Sequence, residues 1–187
     1  MPEVLHRLEV EALELGADVR AVGLELIDPE TREPVKGNEA ARVWAAVLAA
    51  QAAEEPWTLD FFAHLRRVRD FCQQRGIAFS ELNDHVLVIA SPETDKLTAL
   101  CERFGDMTFG ARAGGALVAG DADVEGGLAE RGVDAYQTAF PKYLFCAVCD
   151  FEDGFLTVLS RHLWASEIIR RARAALSGLH VEVTRPA

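Results

Sequence analysis

Two cysteines, Cys146 and Cys149, stand three residues apart in the segment YLFCAVCDFEDGFLTVLS, which covers residues 143–160. Redox enzymes use this spacing at the start of a helix, and zinc knuckles use it together with a second pair of ligands. Here the pair lies among strand-forming residues, and a strand places side chains three residues apart on opposite faces. We therefore predict a β-hairpin in which both cysteines are structural, with no metal site.

The acidic segment DADVEGGLAERG, residues 121–132, is a second candidate site. Asp121, Asp123 and Glu125 match the first three carboxylate positions of a calcium-binding loop, and the glycine that follows them matches its sharp turn. The twelfth position, where a glutamate should complete the coordination shell, is Gly132. A solvated acidic loop is the prediction, and cation binding by the three carboxylates stays open as the alternative.

A basic run, HLRRVRD, covers residues 64–70 of this acidic chain. Arg66, Arg67 and Arg69 would lie on the outer side of a helix whose inner side is apolar. This pattern predicts a solvated face, and a docking patch for an acidic partner is the alternative. His85 beside Asp84 fits a polar turn better than it fits an acid–base pair.

Motifs of known catalytic chemistry are missing from the sequence. The five histidines form neither HxxxH nor HExxH, and the chain contains no GxSxG, GxGxxG or GxxxxGK[ST]. We therefore predict no catalytic residue and no cofactor, and we expect that the protein is not an enzyme.

Composition limits the classes of partner. The chain has 187 residues, half of them hydrophobic, and a formal net charge of −11. Such a negative surface repels nucleic acid and anionic lipid. The opening MPEVLHRLEVEAL lacks the pattern of a secretory signal, and the apolar stretch 40–53 is too short to span a bilayer. We expect a cytoplasmic protein with reduced cysteines, which binds neither nucleic acid nor membrane.

The first third of the chain predicts a helix, a strand and a second helix. Residues 3–15 favour a helix closed by Gly16, although Leu8, Val10 and Ala12 also alternate as in a strand. Residues 18–28 predict a strand, and Asn38 can cap a helix that runs to about residue 54. The segment EEP, residues 54–56, predicts a domain boundary between an N-terminal extension, 1–56, and a core domain, 57–187.

The core region predicts a mainly antiparallel central sheet flanked by helices, which is an α/β fold of the α+β type. The expected turns are Asn83-Asp84 and Asp153-Gly154; the second would pair Phe151 with Leu156 and Cys149 with Val158. Ser91 would cap a helix that ends at Gly105. The remaining predicted elements are a helix over 59–75, a hairpin over 77–91, a strand or hairpin after 105, a hairpin over 143–160, a helix over 163–177 and a strand over 179–185.

Two hairpins resemble those of a known family. GIAFSELNDHVLVIAS, residues 76–91, resembles the first hairpin of Roadblock-type dynein light-chain domains, which are profilin-like, and YLFCAVCDFEDGFLTVLS with its following helix is similar to their last hairpin and closing helix. The resemblance is one of topology and covers residues 59–177. It implies a five-stranded antiparallel sheet, a homodimer, and a non-catalytic role as scaffold or regulator of a small Ras-like GTPase. The chain departs from it by residues 1–56, an insertion near 120–140 and a strand after the last helix.

Three functions remain open at this point. The first is a cytoplasmic adaptor or regulatory protein that binds protein partners and forms a homo-oligomer. The second is an acidic inhibitor of the immunity type, which blocks one basic partner by electrostatic complementarity. The third is an enzyme or ligand sensor whose pocket is assembled from scattered residues, because such a pocket leaves no local motif.

Overall fold

The computed structural model describes residues 6–14, 20–52, 56–84, 86–114, 143–160 and 165–185. In these residues one nine-stranded sheet is accompanied by four helices, which confirms the predicted α/β fold with a mainly antiparallel sheet. The strands are β1 His6–Glu14, β2 Arg20–Ile27, β3 Trp57–Phe61, β4 Ser80–Asn83, β5 Val86–Ala90, β6 Thr108–Ala113, β7 Phe145–Asp150, β8 Phe155–Ser160 and β9 Val181–Thr184. The helices are α1 Gly37–Gln51, α2 Leu65–Arg75, α3 Thr94–Phe104 and α4 Ala165–Ala175.

The strand order is β4-β5-β3-β6-β7-β8-β2-β1-β9. Every neighbouring pair is antiparallel except β1 and β9, which are parallel. The hairpin of β7 and β8 occupies the middle of the sheet. Its strands are apolar on both faces, as strands that are covered on both sides require.

Residues 57–113 form a βαββαβ unit. The connection through α2 leads from β3 to β4 past β5, and the connection through α3 leads from β5 to β6 past β3. Both are split βαβ crossovers. A third crossover, through α4, leads from β8 to β9 past β2 and β1. The first and the last described strands are therefore neighbours, because β9 pairs with the outer edge of β1.

The four described helices contribute to one hydrophobic core on a single face of the sheet. At its centre Trp44 of α1 stacks on Phe151, with ring centroids 4.9 Å apart. The stripe predicted for α3 is confirmed, because Leu97, Leu100, Cys101 and Phe104 are all buried. The alternate residues of the strands point to the opposite side, which we call the second face of the sheet.

The helix predicted over residues 3–15 is wrong for its described part, because His6–Glu14 forms strand β1. Leu8 and Val10 are buried in the core, and Leu8 lies opposite both Leu26 of β2 and Val183 of β9. The residues fit a period of two and a period near four equally well. Pairing with two distant strands decided between them, and local sequence carries no information about such pairing.

The helix predicted over residues 59–75 is correct only from Leu65 onward, because Trp57–Phe61 forms strand β3. The step of four from Phe61 to Leu65 imitates a helical stripe across a change of element. The predicted caps also shift: α1 has Lys36 as N-cap and α3 has Glu93. Ser91 instead connects the end of β5 to the start of β3. Its Oγ accepts a hydrogen bond from the backbone N–H of Trp57 and donates one to the carbonyl oxygen of Trp57, each over 3.1 Å.

The central hairpin is confirmed, but its predicted register is wrong. Cys149 lies opposite Leu156, and Phe151 to Gly154 form a four-residue turn. Phe151 lies outside the ladder, and its ring is buried against Trp44. The shift is two residues, so every side chain keeps the face that alternation predicts.

The predicted boundary at residues 54–56 falls after α1, in the connection to β3. Strands before it pair with strands after it, β2 with β8 and β1 with β9, so the predicted extension and core domain share one sheet. The sheet has nine strands, whereas the Roadblock-type resemblance implies five. Among the described residues, none of the helices is both long and apolar enough to cross a membrane.

Candidate functional site

A buried ion pair lies on the second face of the sheet. The Arg112 Nη2 group of β6 donates a hydrogen bond to Asp60 Oδ2 of β3 over 2.7 Å. The side chains of Asp60 and Arg112 are 0% and 1% exposed. Arg112 Nη1 also donates to the hydroxyl oxygen of Tyr143 over 3.1 Å, and Tyr143 is buried as well.

Two aromatic rings and a thiol of the described residues also lie close to Arg112. Its Cζ atom lies 5.3 Å from the ring centre of Tyr143 and 5.8 Å from that of Phe62. Cys146 of β7 is its directly opposite neighbour in the ladder. The carboxylate neutralises the guanidinium, so the pair has the properties of a structural buried ion pair rather than those of a free charged group.

Sequence reasoning missed this pair. The helix predicted over 59–75 includes Asp60, and a residue in a helix has no partner strand across a sheet. A pairing of Asp60 with Arg112 therefore does not follow from that prediction. A signal exists in the segment FGARA, residues 109–113, where a strand of small and apolar residues contains one arginine. A buried arginine needs a partner, and a second buried strand with an acid in its middle could have supplied the hypothesis.

Four glutamates form a second feature, which we call the acidic strip. They lie on the second face of the outer strands, and in β1 they alternate with the core residues Leu8 and Val10. Glu9 is directly opposite Glu25 on β2, and Glu182 is opposite Arg7 in the parallel pairing with β9. The strip consists of Glu9, Glu11, Glu25 and Glu182.

The charges of the strip are only partly compensated. Arg32 Nη1 lies 2.7 Å from Glu9 Oε1, and Arg7 Nε lies 3.4 Å from Glu182 Oε2. Glu11 and Glu25 form no ion pair with any residue in the part of the chain that the structure describes. Glu11 is exposed and Glu25 half-buried, so the strip presents uncompensated carboxylates to solvent.

A groove of about 400 Å³ lies on the opposite side of the molecule. Its floor contains Trp44, Phe151 and the small residues Ala40 and Ala41 of α1. Its rim contains two cations, Lys36 and Arg103, together with three acids. Such a lining has no dominant charge. The acids of the rim are Glu102, Asp106 and Glu152.

The cysteines have the environment of core residues. All four are buried, none forms a disulfide, and Cys149 belongs to the core side while Cys146 lies opposite Arg112 on the second face. Burial raises the pKa of Cys72 to about 11 and raises the pKa values of Cys101 and Cys149 further. These three thiols therefore stay protonated at neutral pH, whereas a cysteine that acts as a nucleophile or metal ligand does so as the thiolate. Within the described ranges no three metal-ligating side chains come together.

The basic run of α2 is paired with acids of the same chain. Arg67 lies 3.4 Å from Asp106, Arg69 lies 2.6 Å from Glu81, and the exposed Arg66 lies 4.0 Å from Asp70. A docking acidic partner would have to displace these carboxylates. The predicted solvated face is the better description of these arginines.

Two candidate sites fall outside the described residues. They are the possible cation site of Asp121, Asp123 and Glu125, and the pair of His85 with Asp84, of which only Asp84 is described. Comparisons with protein-family models, with curated proteins and with solved structures found no match to this chain. The Roadblock-type resemblance therefore stays a prediction. What the fold and the site define is a mixed α/β protein with an acidic outer sheet surface.

Proposed function

We propose that this protein is a non-catalytic regulatory or adaptor protein of the cytoplasm, which binds a basic protein partner on the acidic strip. The observation that carries the proposal is that Glu11 and Glu25 have no ion-pair partner among the described residues, next to Glu9, which pairs with Arg32. They stand on adjacent strands of one hydrogen-bonded sheet, so the register of β1 and β2 sets the spacing of their backbones before a partner arrives. Fixed charges of one sign favour a partner whose charges are complementary.

The net charge of −11 adds a long-range component to this local pattern. A negative protein attracts a basic partner over the Debye length, which speeds association and makes it sensitive to salt. Arg7 and Arg32 interrupt the strip at defined places. They would favour a partner with a matching arrangement of charges over a uniformly basic polymer.

The chemistry of the remaining groups supports binding over catalysis in the described part of the chain. Arg112 and Asp60 neutralise each other, and the thiols of Cys72, Cys101 and Cys149 are held protonated. An immunity-type inhibitor would be one form of this function, with a basic enzyme or toxin as the partner. A small GTPase as partner, and a homo-oligomer, stay separate predictions.

Site-specific photo-crosslinking tests the proposal. A photoreactive residue is placed at Glu11 of the strip or, as control, at Glu102, which is exposed on α3. In cells that make the protein, we expect a crosslinked partner of high isoelectric point from position 11 and none from position 102. Equal crosslinking from both positions, or an acidic partner at position 11, would count against the acidic strip as the binding surface.

A further inference from the structure

Strand β9 ends the sheet, and its described neighbour is β1. The carbonyl oxygen of His180 accepts a hydrogen bond from the backbone N–H of His6 over 3.3 Å. In a strand, the backbone groups of alternate residues point to the same side. The groups of His180 and Glu182 therefore face β1, and those of Val181 and Val183 point outward, where a further strand could pair.

Two of these outward groups already have partners within the chain. The carbonyl oxygen of Val183 accepts from Arg173 of α4, with Nη2 at 3.1 Å and Nε at 3.4 Å. The backbone N–H of Val181 donates to the carbonyl oxygen of Leu179 over 2.7 Å. An incoming strand would need both groups for a regular ladder.

We propose that Arg173 blocks the β9 edge and so prevents the β9 strand of a second copy of this chain from pairing with it. Unpaired edges tend to pair with other edges, and proteins protect them with charges, bulges or covering groups. The edge of a second copy is identical, so the two β9 strands could pair antiparallel about a twofold axis. The guanidinium fork occupies the acceptor that this pairing needs, and it places a positive charge where the incoming backbone would lie.

The opposite end of the sheet has a protection of another kind. Strand β4 has only four residues and a register shift between Glu81 and Asn83 in its pairing with β5. Short strands and bulges both discourage edge-to-edge association. Strand β9 is equally short, but its four paired positions are regular. Its protection therefore rests on the side chain of Arg173, together with the Leu179 carbonyl that holds the Val181 N–H.

Self-association of the Arg173→Ala variant tests this role. Arg170→Ala is the matched control, because it removes a guanidinium from the same helix without touching β9; Arg170 lies 2.6 Å from Glu167. Sedimentation equilibrium at high salt, which screens repulsion between two acidic chains, gives the dissociation constant of self-association. We expect Arg173→Ala to associate about tenfold more tightly than the unaltered chain, and Arg170→Ala to match the unaltered chain.

A second substitution shows whether the β9 edge is the interface. Because the N–H of Val183 points away from β1, proline at this position removes no hydrogen bond of the β1–β9 ladder but removes an outward donor. Arg173→Ala with Val183→Pro should return to the association of the unaltered chain, and the Val183 amide should gain exchange protection in associated Arg173→Ala. Thermal unfolding checks that each variant is folded. If Arg173→Ala is not folded, Arg173→Gln takes its place. The proposal would be overturned if a folded Arg173 variant associated no more tightly than the unaltered chain. It would also be overturned if the double variant with Val183→Pro associated as tightly as Arg173→Ala alone.

Discussion

Arg112 of β6 and Asp60 of β3 form a buried ion pair, 2.7 Å long, between residues 52 positions apart in the chain. The two strands are neighbours, and the pair crosses their ladder diagonally, since Asp60 is opposite Gly110 and Arg112 is opposite Thr58. Each charge alone would be expensive to bury, so the pair favours the one register in which both are compensated. The pair therefore ties together the two halves of the βαββαβ unit.

Removal of one charge should destabilise the fold strongly. Asp60→Asn keeps the shape of the side chain but removes the carboxylate charge that lies 2.7 Å from the buried guanidinium of Arg112. We expect the free energy of unfolding to fall by about 3–5 kcal/mol, as for other broken buried pairs. Urea denaturation followed by circular dichroism measures this loss.

Removal of both charges should cost much less. Asp60→Leu with Arg112→Met replaces the pair by a branched and an unbranched apolar side chain, and apolar replacements of buried ion pairs are often close to neutral. A double variant that is less stable than Asp60→Asn alone would contradict this interpretation of the pair. The Tyr143 hydroxyl would lose the hydrogen bond that Arg112 donates, which sets a limit to full recovery.

Gly154, at the end of the central turn, should not tolerate a side chain. Its φ is +72°, and a Cβ atom would lie 2.8 Å from Cβ of Pro34 and 3.2 Å from the carbonyl oxygen of Leu26. We expect Gly154→Ala to lower the free energy of unfolding by about 1–3 kcal/mol, through backbone strain alone or with the close contact. Gly178→Ala is the control, since no atom lies within 4 Å of its added Cβ, and its effect should stay within about 0.5 kcal/mol.

Alkaline pH should weaken the fold through its buried thiols. Burial raises the pKa of Cys72 from 9.0 to about 11, so the folded state holds its proton where the unfolded chain has lost it. The stabilising contribution is complete below pH 9 and is lost between pH 9 and 11. Denaturation midpoints measured across this window should fall less steeply for Cys72→Ala than for the unaltered chain; equal slopes would contradict the assignment.

Glu167, in the first turn of α4, should titrate far below the usual range of a glutamate. Hydrogen bonds from Arg170 and then Arg171 lower its pKa from 4.5 to about 2. Its contribution to stability is therefore present above pH 4.5 and is lost as the pH falls toward 2. Carbon-detected NMR titration should show a midpoint near 2 that rises in Arg170→Ala, and an unchanged midpoint in that variant would remove Arg170 as the cause.

Local patterns predicted the elements whose periodicity is unambiguous. The stripe of α3, the glycine at the end of α2 and the doubly apolar strands β7 and β8 were all readable from sequence. Strands β1 and β3 were not, because their residues fit both periods, and contacts with strands far away in the chain decided between them. The pairing of Leu8 with Val183 spans almost the whole chain, and no short segment contains it.

The candidate surface depended on the same ambiguity. Once residues 6–14 are a strand, Glu9 and Glu11 must share a face opposite Leu8 and Val10, and the acidic strip follows. On a helix over residues 3–15, Glu9 and Glu11 would lie on opposite sides, because residues two positions apart do not share a helical face. The partner of Arg112 was hidden for the same reason, since Asp60 was assigned to a helix.

The dissociation constant of the crosslinked partner, measured for two variants of equal charge, tests the central claim most directly. The strip variant combines Glu11→Gln, Glu25→Gln and Glu182→Gln. The control combines Asp84→Asn, Asp95→Asn and Glu102→Gln, which are exposed acids away from the strip. We predict that the strip variant binds about tenfold or more weakly and loses much of its salt dependence, while the control binds within about twofold of the unaltered chain. Equal weakening in both variants would mean that only net charge matters and would contradict a binding surface on the acidic strip.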